Sequence, residues 1–211
     1  MLLLCLDTAT ADVAAAAVDL DDPDRIAART RREPRGAGEH LMPLALAALD
    51  ALGARLTDVA AVAVGLGPGP FTGLRAGVVT GAVLARTLGV PAYGACSLDL
   101  FAEPDVLVAS DARRREVYWA RYDRSGARVQ GPAVDRPAVL AARLAGQRVV
   151  GPGALLYADL LGGSDADDRP IPVERLASLV AGRARGGAPA DVLVPLYLRR
   201  PDAAEPAVTR S

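Results

Sequence analysis

Lysine is absent from these 211 residues, so all 24 basic side chains are arginine. A phosphate-loop lysine, a Schiff-base lysine and a lysine general base are thereby excluded. Histidine occurs once, at His40, and cysteine twice, at Cys5 and Cys96. One histidine leaves no helical His pair, and two cysteines do not complete a thiolate zinc site, so no metal site is expected. A Ser-His-Asp triad would have to use His40, and no serine stands in a G-x-S-x-G elbow, so His40 reads as a capping or surface residue. Charge of neither sign predominates: 24 basic against 25 acidic side chains give a net charge of −1. No global field draws the chain to nucleic acid or an anionic membrane, and any RNA contact has to be local or shared with a partner. Gly, Pro, Arg and Asp interrupt every apolar stretch short of the roughly 18 residues a membrane span needs. The opening run of residues 1–6 has no basic flank and is too short for the apolar region of a signal peptide. A soluble, cytoplasmic protein is expected, with Cys5 and Cys96 as small core hydrophobes in a reducing compartment.

What is present is a weak internal repeat. Apolar residues 2–6 end at Asp7 and a second run, 13–18, ends at Asp19; residues 106–109 lead to Asp111 and 117–122 lead to Asp123, with the same Asp-to-Asp spacing. Each copy reads as a strand, a turn and a strand, and a third strand follows near 26–30 and near 128–134. Alternating helices and short strands come next, as where parallel strands extend a sheet through crossovers. The first half predicts helices over 38–52 and 72–88 and strands over 60–64 and 90–95, with Gly53 and Gly89 closing the helices. The second half predicts helices over 137–144, 155–161 and 173–183, a strand over 148–150 and a further short one at Ile171. Two copies of a βββαβα lobe make a two-lobed, actin-like or sugar-kinase-like (RNase H-like) α/β fold. The lobes are placed at 1–103 and 104–200, joined at a helical turn over 97–103 that Ser97 caps, with a fraying Ala/Pro-rich tail at 201–211.

In this architecture a nucleotide lies between the lobes, each hairpin turn wrapping its phosphates and a strand-end Asp serving magnesium. Close approach of backbone to phosphate favours glycine, and neither turn has one. Thr8, Ala9 and Thr10 follow Asp7, leaving hydroxyls as donors; Ala112, Arg113, Arg114 and Arg115 follow Asp111. The cleft therefore reads as degenerate for ATP hydrolysis. Asp7, Thr8, Thr10, Asp111 and Arg113 remain its candidate nucleotide-binding residues, and the arginines stand equally as a solvated hairpin tip.

The densest motif is Gly67-Pro68-Gly69-Pro70-Phe71-Thr72-Gly73-Leu74-Arg75, between a strand and a helix that Thr72 is expected to cap. It reads either as an anion-binding helix start or as a rigid turn, and without a lysine the rigid turn is preferred. Gly73, Gly77, Gly81 and Ala85 recur every four residues, a small-residue groove for close approach of another helix or strand. The helix before it carries Leu41, Leu44, Ala45, Ala48, Leu49 and Leu52 on one stripe, with Met42 and Leu46 outside it and no charge between Glu39 and Asp50. Helices apolar all round are buried on both sides, so a partner is expected on the side away from the sheet.

With these residues the chain resembles the TsaB/YeaZ family, the dimerisation subunits of the bacterial tRNA threonylcarbamoyladenosine synthase. The resemblance is carried by residues 4–10 (LCLDTAT), 39–43, 67–75 (GPGPFTGLR), Ser97-Leu98, Asp111-Ala112-Arg113 with Glu116-Val117-Tyr118, and Pro195 with Tyr197-Leu198-Arg199. Pro70 departs from it, standing where the family usually has Ser. The resemblance implies an actin-like fold whose own cleft is not catalytic. It also implies a TsaD-type sister subunit that performs threonylcarbamoyl transfer to the adenosine beside the anticodon, and a TsaE-type ATPase that joins the pair. Contact with tRNA is expected only through the complex, no tightly bound cofactor is expected, and ATP or ADP is confined to the interface with the sister. Carried onto this chain, the partner-binding surface takes in His40, Met42, Leu46, Leu49, Thr72, Arg75, Gly77, Val79, Leu84 and Arg86. The rival readings are a small ATP-dependent kinase or nucleotide hydrolase using Asp7 and Asp111, and a homodimer whose helices bury one another.

Overall fold

The computed structural model of the chain describes residues 1–32, 36–144, 146–163 and 168–199, so the tail expected at 201–211 lies outside the described residues. The first sheet has the order β3-β2-β1-β4-β5, from β1 (Leu2–Asp7), β2 (Asp12–Asp19), β3 (Ile26–Arg32), β4 (Val59–Gly65) and β5 (Ala92–Ala95). The second has the order β8-β7-β6-β9, from β6 (Val106–Asp111), β7 (Val117–Tyr122), β8 (Arg128–Asp135) and β9 (Arg148–Val150). In both, the first two strands form an antiparallel hairpin that puts its repeat Asp at the turn, Asp7 opposite Ala14 and Asp111 opposite Val117. The crossover strands β4 and β9 pair in parallel with β1 and β6. β1 is buried at every residue because it lies between two strands with both faces covered, which is why it reads as an unbroken apolar run.

Period-2 alternation along β1 sorts the core into layers. Leu2, Leu4 and Leu6 point to one side, with Val62 and Val64 of β4, and are covered by α1 (Ala37–Ala51) and α2 (Phe71–Leu88). Leu3 and Cys5 point to the other side, into a cluster shared with Val106, Val108, Tyr118 and Tyr122 of the second sheet. The space between the sheets is thus packed with apolar side chains. Leu107, Ala109 and Trp119 point outward from the second sheet, against the short helices α3 (Pro137–Ala141), α4 (Pro152–Leu156) and α5 (Ala158–Leu161). Cys5 and Cys96 both lie in the central cluster, and burial pushes both thiols up, that of Cys96 to about 11. Neither is a reactive thiolate at neutral pH.

Four sequence expectations need correction. Residues 155–161 are not one helix: α4 and α5 are broken at Tyr157, whose backbone (φ −122°, ψ 42°) is not helical. Ile171 is not in a strand; its N–H donates to the buried Asp12 carboxylate at 2.9 Å, tying the approach to the last helix onto β2. Thr72 does not cap α2, because Pro70, with φ −59°, occupies the cap position and the helix begins at Phe71. Ser97 does not cap the turn Ser97–Phe101, a 3-10 helix whose cap position is Cys96; the Ser97 hydroxyl is engaged with Asp7 instead.

Helix α6 (Arg175–Arg185), although it follows the second sheet in the chain, lies across β1, β4 and β5 of the first. Residues 188–199 continue as an extended strap along the edge strand β5. The Asp191 N–H donates to the Ala92 carbonyl at 2.9 Å, the Gly94 N–H to the Asp191 carboxylate at 2.8 Å, and the Leu196 N–H to the Leu66 carbonyl at 2.7 Å. An edge of open backbone groups is thereby satisfied by the chain itself. At the strap's end Arg199 donates to the Ala112 carbonyl at 2.7 Å and pairs with Glu116, tying the strap to the second hairpin.

Candidate functional site

Two groups of residues stand out: the strand ends at Asp7 and Asp111, and the outer faces of α1 and α2. Asp7 is completely buried. One carboxylate oxygen accepts from the Ala9 N–H at 2.7 Å and the other from the Ser97 hydroxyl at 2.6 Å, and Ser97 in turn accepts from the Gly67 N–H at 3.0 Å. Gly65, at the end of the parallel neighbour β4, has to lack a side chain, because a Cβ there would collide with the Asp7 carboxylate. Desolvation raises the Asp7 pKa to about 6, against the opposing pull of the bonds from Ser97 and Ala9; the nearby Asp12 adds to the rise.

The turn after Asp7 is occupied with its own surroundings. Thr8 is buried and its hydroxyl donates to the Gly73 carbonyl in the first turn of α2 at 2.7 Å. A Cβ at Gly69 would meet the Ala9 backbone, one at Gly77 the Thr8 hydroxyl, and one at Gly81 the Val64 side chain. The glycines of the dense motif and of α2 are therefore required by close packing against the chain's own β1-β2 turn and β4, which is the rigid-turn reading. Thr10 is part-exposed and its hydroxyl accepts from the Asp12 N–H at 3.1 Å. Asp111, part-exposed, accepts from the Arg113 N–H at 2.7 Å and pairs with the Arg113 guanidinium at 3.5 Å. The Asp111 carboxylate is engaged within its own hairpin, and that of Asp7 by its own turn and by Ser97. Among the described residues no group of three or more His, Cys, Asp or Glu side chains is arranged to hold a metal ion.

The helix faces differ. Along α2, Thr72, Arg75, Val79, Val83 and Arg86 are exposed at spacings of three and four, a single outward stripe in which Val79 is 56% and Val83 57% exposed. On α1, Leu46 is 47% exposed, while His40 and Met42, like Leu84 of α2, are half-buried. Beside Leu46 lies an open depression of about 500 Å³ floored by Leu49 and rimmed by Asp50, Arg55 and Leu56. Leu49 and Gly77 do not belong to the outer face. Leu49 lies on the buried stripe with Leu41, Ala45 and Ala48, and Gly77 faces Thr8. Phe71 and Tyr197 stand in the quoted motifs but not among the surface residues expected from the sequence; their rings lie tilted against each other with centroids 5.0 Å apart while the Arg75 guanidinium sits 5.1 Å over Phe71. This aromatic-cation group prolongs the stripe past the N-terminus of α2; only the strap could bring Tyr197 there, and no local pattern announces it.

Residues 34–155, more than half of the chain, match the family model described as TsaD: tRNA N6-adenosine threonylcarbamoyltransferase. An uncharacterized protein of Mycobacterium tuberculosis is 44% identical over 205 residues, 95% of this chain and 93% of its own length. The tRNA threonylcarbamoyladenosine biosynthesis protein TsaB of Escherichia coli is 36% identical over 132 residues, 59% of this chain and 56% of that protein. The solved structure of YeaZ from Pseudomonas aeruginosa superposes with a TM-score of 0.74 at 30% identity, covering 93% of this chain and 99% of that one. The two-sheet, actin-like (RNase H-like) architecture and these likenesses, which run through both sheets, agree: the chain belongs to the TsaB/YeaZ family.

Proposed function

We propose that this chain is a non-catalytic subunit that binds and activates a TsaD-type threonylcarbamoyltransferase, in the formation of N6-threonylcarbamoyladenosine next to the tRNA anticodon. Membership in the TsaB/YeaZ family supports the pathway. The observation that carries the subunit role is the outward apolar stripe of Leu46, Val79 and Val83 on two helices whose other faces are already buried against the first sheet. Apolar side chains grouped on one helical face of a globular chain mark an interaction surface. His40, Met42, Thr72, Arg75, Leu84 and Arg86 border it, and the arginines place charge at its rim, where an interface is polar. The kinase or hydrolase reading would need Asp7 to serve a metal-bound nucleotide, and its carboxylate is closed off by Ser97, Ala9 and Gly65.

In this reading the lobes are residues 1–103, carrying the docking helices, and 104–200, whose last helix α6 and strap return to pack on the first sheet. The partners are the TsaD-type sister and a TsaE-type ATPase, the setting is the cytoplasm, and any ATP or ADP is held at the subunit interface. No helix of the described residues is long and apolar enough to cross a membrane. Co-expression with a TsaD-type subunit is expected to yield one-to-one co-purification, lost in Val79→Glu and in Leu46→Glu while both variants stay soluble and folded. Undiminished pairing in those variants would remove this interface. Sizing of the chain alone and with the sister reads whether a homodimer competes for the same face.

A further inference from the structure

The outer faces of α1 and α2 carry their charges in one pattern. On α1, Glu39, Pro43, Leu46 and Asp50 are exposed, and on α2 so are Arg75, Val79, Ala82 and Arg86. Both sets follow the spacing i, i+4, i+7, i+11, which returns to the same side of a helix after three turns, about 16 Å. Each stripe is apolar in the middle and charged at both ends, acidic on α1 and basic on α2. The two helices contain no other Asp, Glu or Arg.

The chain itself does not use these charges. Among the described residues none of the four side chains takes part in an ion pair or a hydrogen bond, and Arg75 lies over the Phe71 ring. Elsewhere the surface closes its pairs, as at Arg25 with Asp19 and Arg143 with Asp135. Helix stability does not account for Asp50, which stands in the last turn of α1, where the helix dipole disfavours a carboxylate.

Strands β3, β1, β4 and β5 all run one way, and α1 and α2 are the crossovers from β3 to β4 and from β4 to β5. The helices therefore lie side by side and point the same way. A second copy laid face to face on them is related by a two-fold axis in the plane of contact. With the axis along the helices, α1 of each copy covers α2 of the other, so Glu39 faces Arg75 and Asp50 faces Arg86. The equal spacing lets both ends close together, and all four charge pairs are of opposite sign. With the axis across the helices, each helix covers its own counterpart in reverse. Glu39 then faces Asp50 and Arg75 faces Arg86, and every pair is of like sign.

We propose that this face is self-complementary: a second copy of the chain docks on it with the two-fold axis along the helices, and Glu39, Asp50, Arg75 and Arg86 fix that orientation. Leu46, Val79 and Val83 supply the apolar area between the charged ends, and the charges suppress the wrong arrangement. The face is the one assigned above to a TsaD-type sister, so self-pairing and that pairing exclude each other. The charge pattern stands without the subunit role.

The test is analytical ultracentrifugation of the chain alone, as wild type and as two variants of identical net charge. Glu39→Arg/Arg75→Glu exchanges the two members of a pair and leaves all four pairs of opposite sign. Glu39→Arg/Arg86→Glu sets like charges against each other at all four. The wild type and the first variant are expected to dimerise with affinities within about 10-fold of each other, and the second to be weakened by about 100-fold or more. Both variants alter exposed residues alone and share one composition, so matching circular dichroism assigns the difference to the interface. A wild type that stays monomeric at roughly 100 μM, whether or not it binds the sister, would overturn the proposal. Equal dimerisation of the two variants, or pairing kept by the second and lost by the first, would do the same. Failure to co-purify with a TsaD-type subunit would instead remove the subunit role and leave self-pairing standing.

Discussion

Replacing Asp7 by Asn is expected to change how stability depends on pH, in a direction opposite to that of most carboxylates. Burial raises the Asp7 pKa from 3.8 to about 6. A carboxyl whose pKa is higher folded than unfolded binds its proton more tightly in the folded chain. Its stabilising contribution is therefore complete at acid pH, declines as pH rises from about 4 to about 6, and is gone above that. A shift of roughly two units corresponds to about 3 kcal/mol; full burial leaves no solvent to screen it. Asp19, held at about 2 first by the amino terminus, and Glu103, held low first by Arg148, act in the opposite sense and lose stability as pH falls. These are common to both proteins and cancel in the difference. Urea denaturation of the wild type and Asp7→Asn between pH 4 and 7.5 should give a stability difference that moves in favour of Asn by about 2.5 kcal/mol, mostly below about pH 6, then levels off. A difference constant across that range within about 0.5 kcal/mol would mean that Asp7 titrates as it does in water. Solvent or a cation would then reach the carboxylate, and the closed-cleft reading would fall with it.

Three further substitutions separate the inner faces of α1 and α2 from their outer ones. Gly77→Ala gains about 1 kcal/mol in helix propensity but drives a methyl into the bonded Thr8 hydroxyl. A net loss of about 1 to 3 kcal/mol by chemical denaturation is expected, and a stabilised variant would show that α2 does not press on that turn. Leu49→Ala, at a position 1% exposed, should cost about 2 to 5 kcal/mol. Leu46→Ala, one helical turn away from Met42 on the exposed side, should cost less than about 1 kcal/mol of stability and still weaken pairing with the sister subunit; equal stability losses at the two positions would contradict the division of the helix.

The elements that were legible in the sequence are those whose pattern is local. β7 over 117–122 and β9 over 148–150 fall where the apolar runs put them, and α1 and α2 differ from expectation by one residue at their starts. The repeated Asp spacing identified both hairpins because a strand's length and its turn are set by neighbours in the chain. What the pattern could not supply was a destination. A stripe of small residues announces that something comes close, but not whether it is a partner or the chain's own β1-β2 turn; at Gly77 and Gly81 it is Thr8 and Val64. α6 looks like the last helix of the second lobe and packs on the first, because amphipathicity names a face and leaves open the sheet it covers. Thr72 lost the cap to Pro70, two residues earlier, whose ring presets the backbone there, and the Ser97 hydroxyl is engaged by a buried carboxylate ninety residues away in sequence.

The glycine-rich motif and the degenerate cleft have one physical explanation. In a site built for phosphate, glycines bring backbone N–H groups up to a ligand. Here Gly65 makes room for the Asp7 carboxylate, Gly69 for Ala9, and Gly77 for Thr8, while Gly67 donates to the Ser97 hydroxyl that bonds Asp7. The room that a ligand would need is filled by the first hairpin's own turn, drawn against the loop and the first turns of α2. The same helix carries Val79 and Val83 on its opposite side. A helix anchored so firmly on its inner face presents its outer side chains with little freedom left to lose, and the entropy cost of ordering them against a partner is correspondingly small. The filled cleft thus fixes the outer face of α2, the face proposed above for docking.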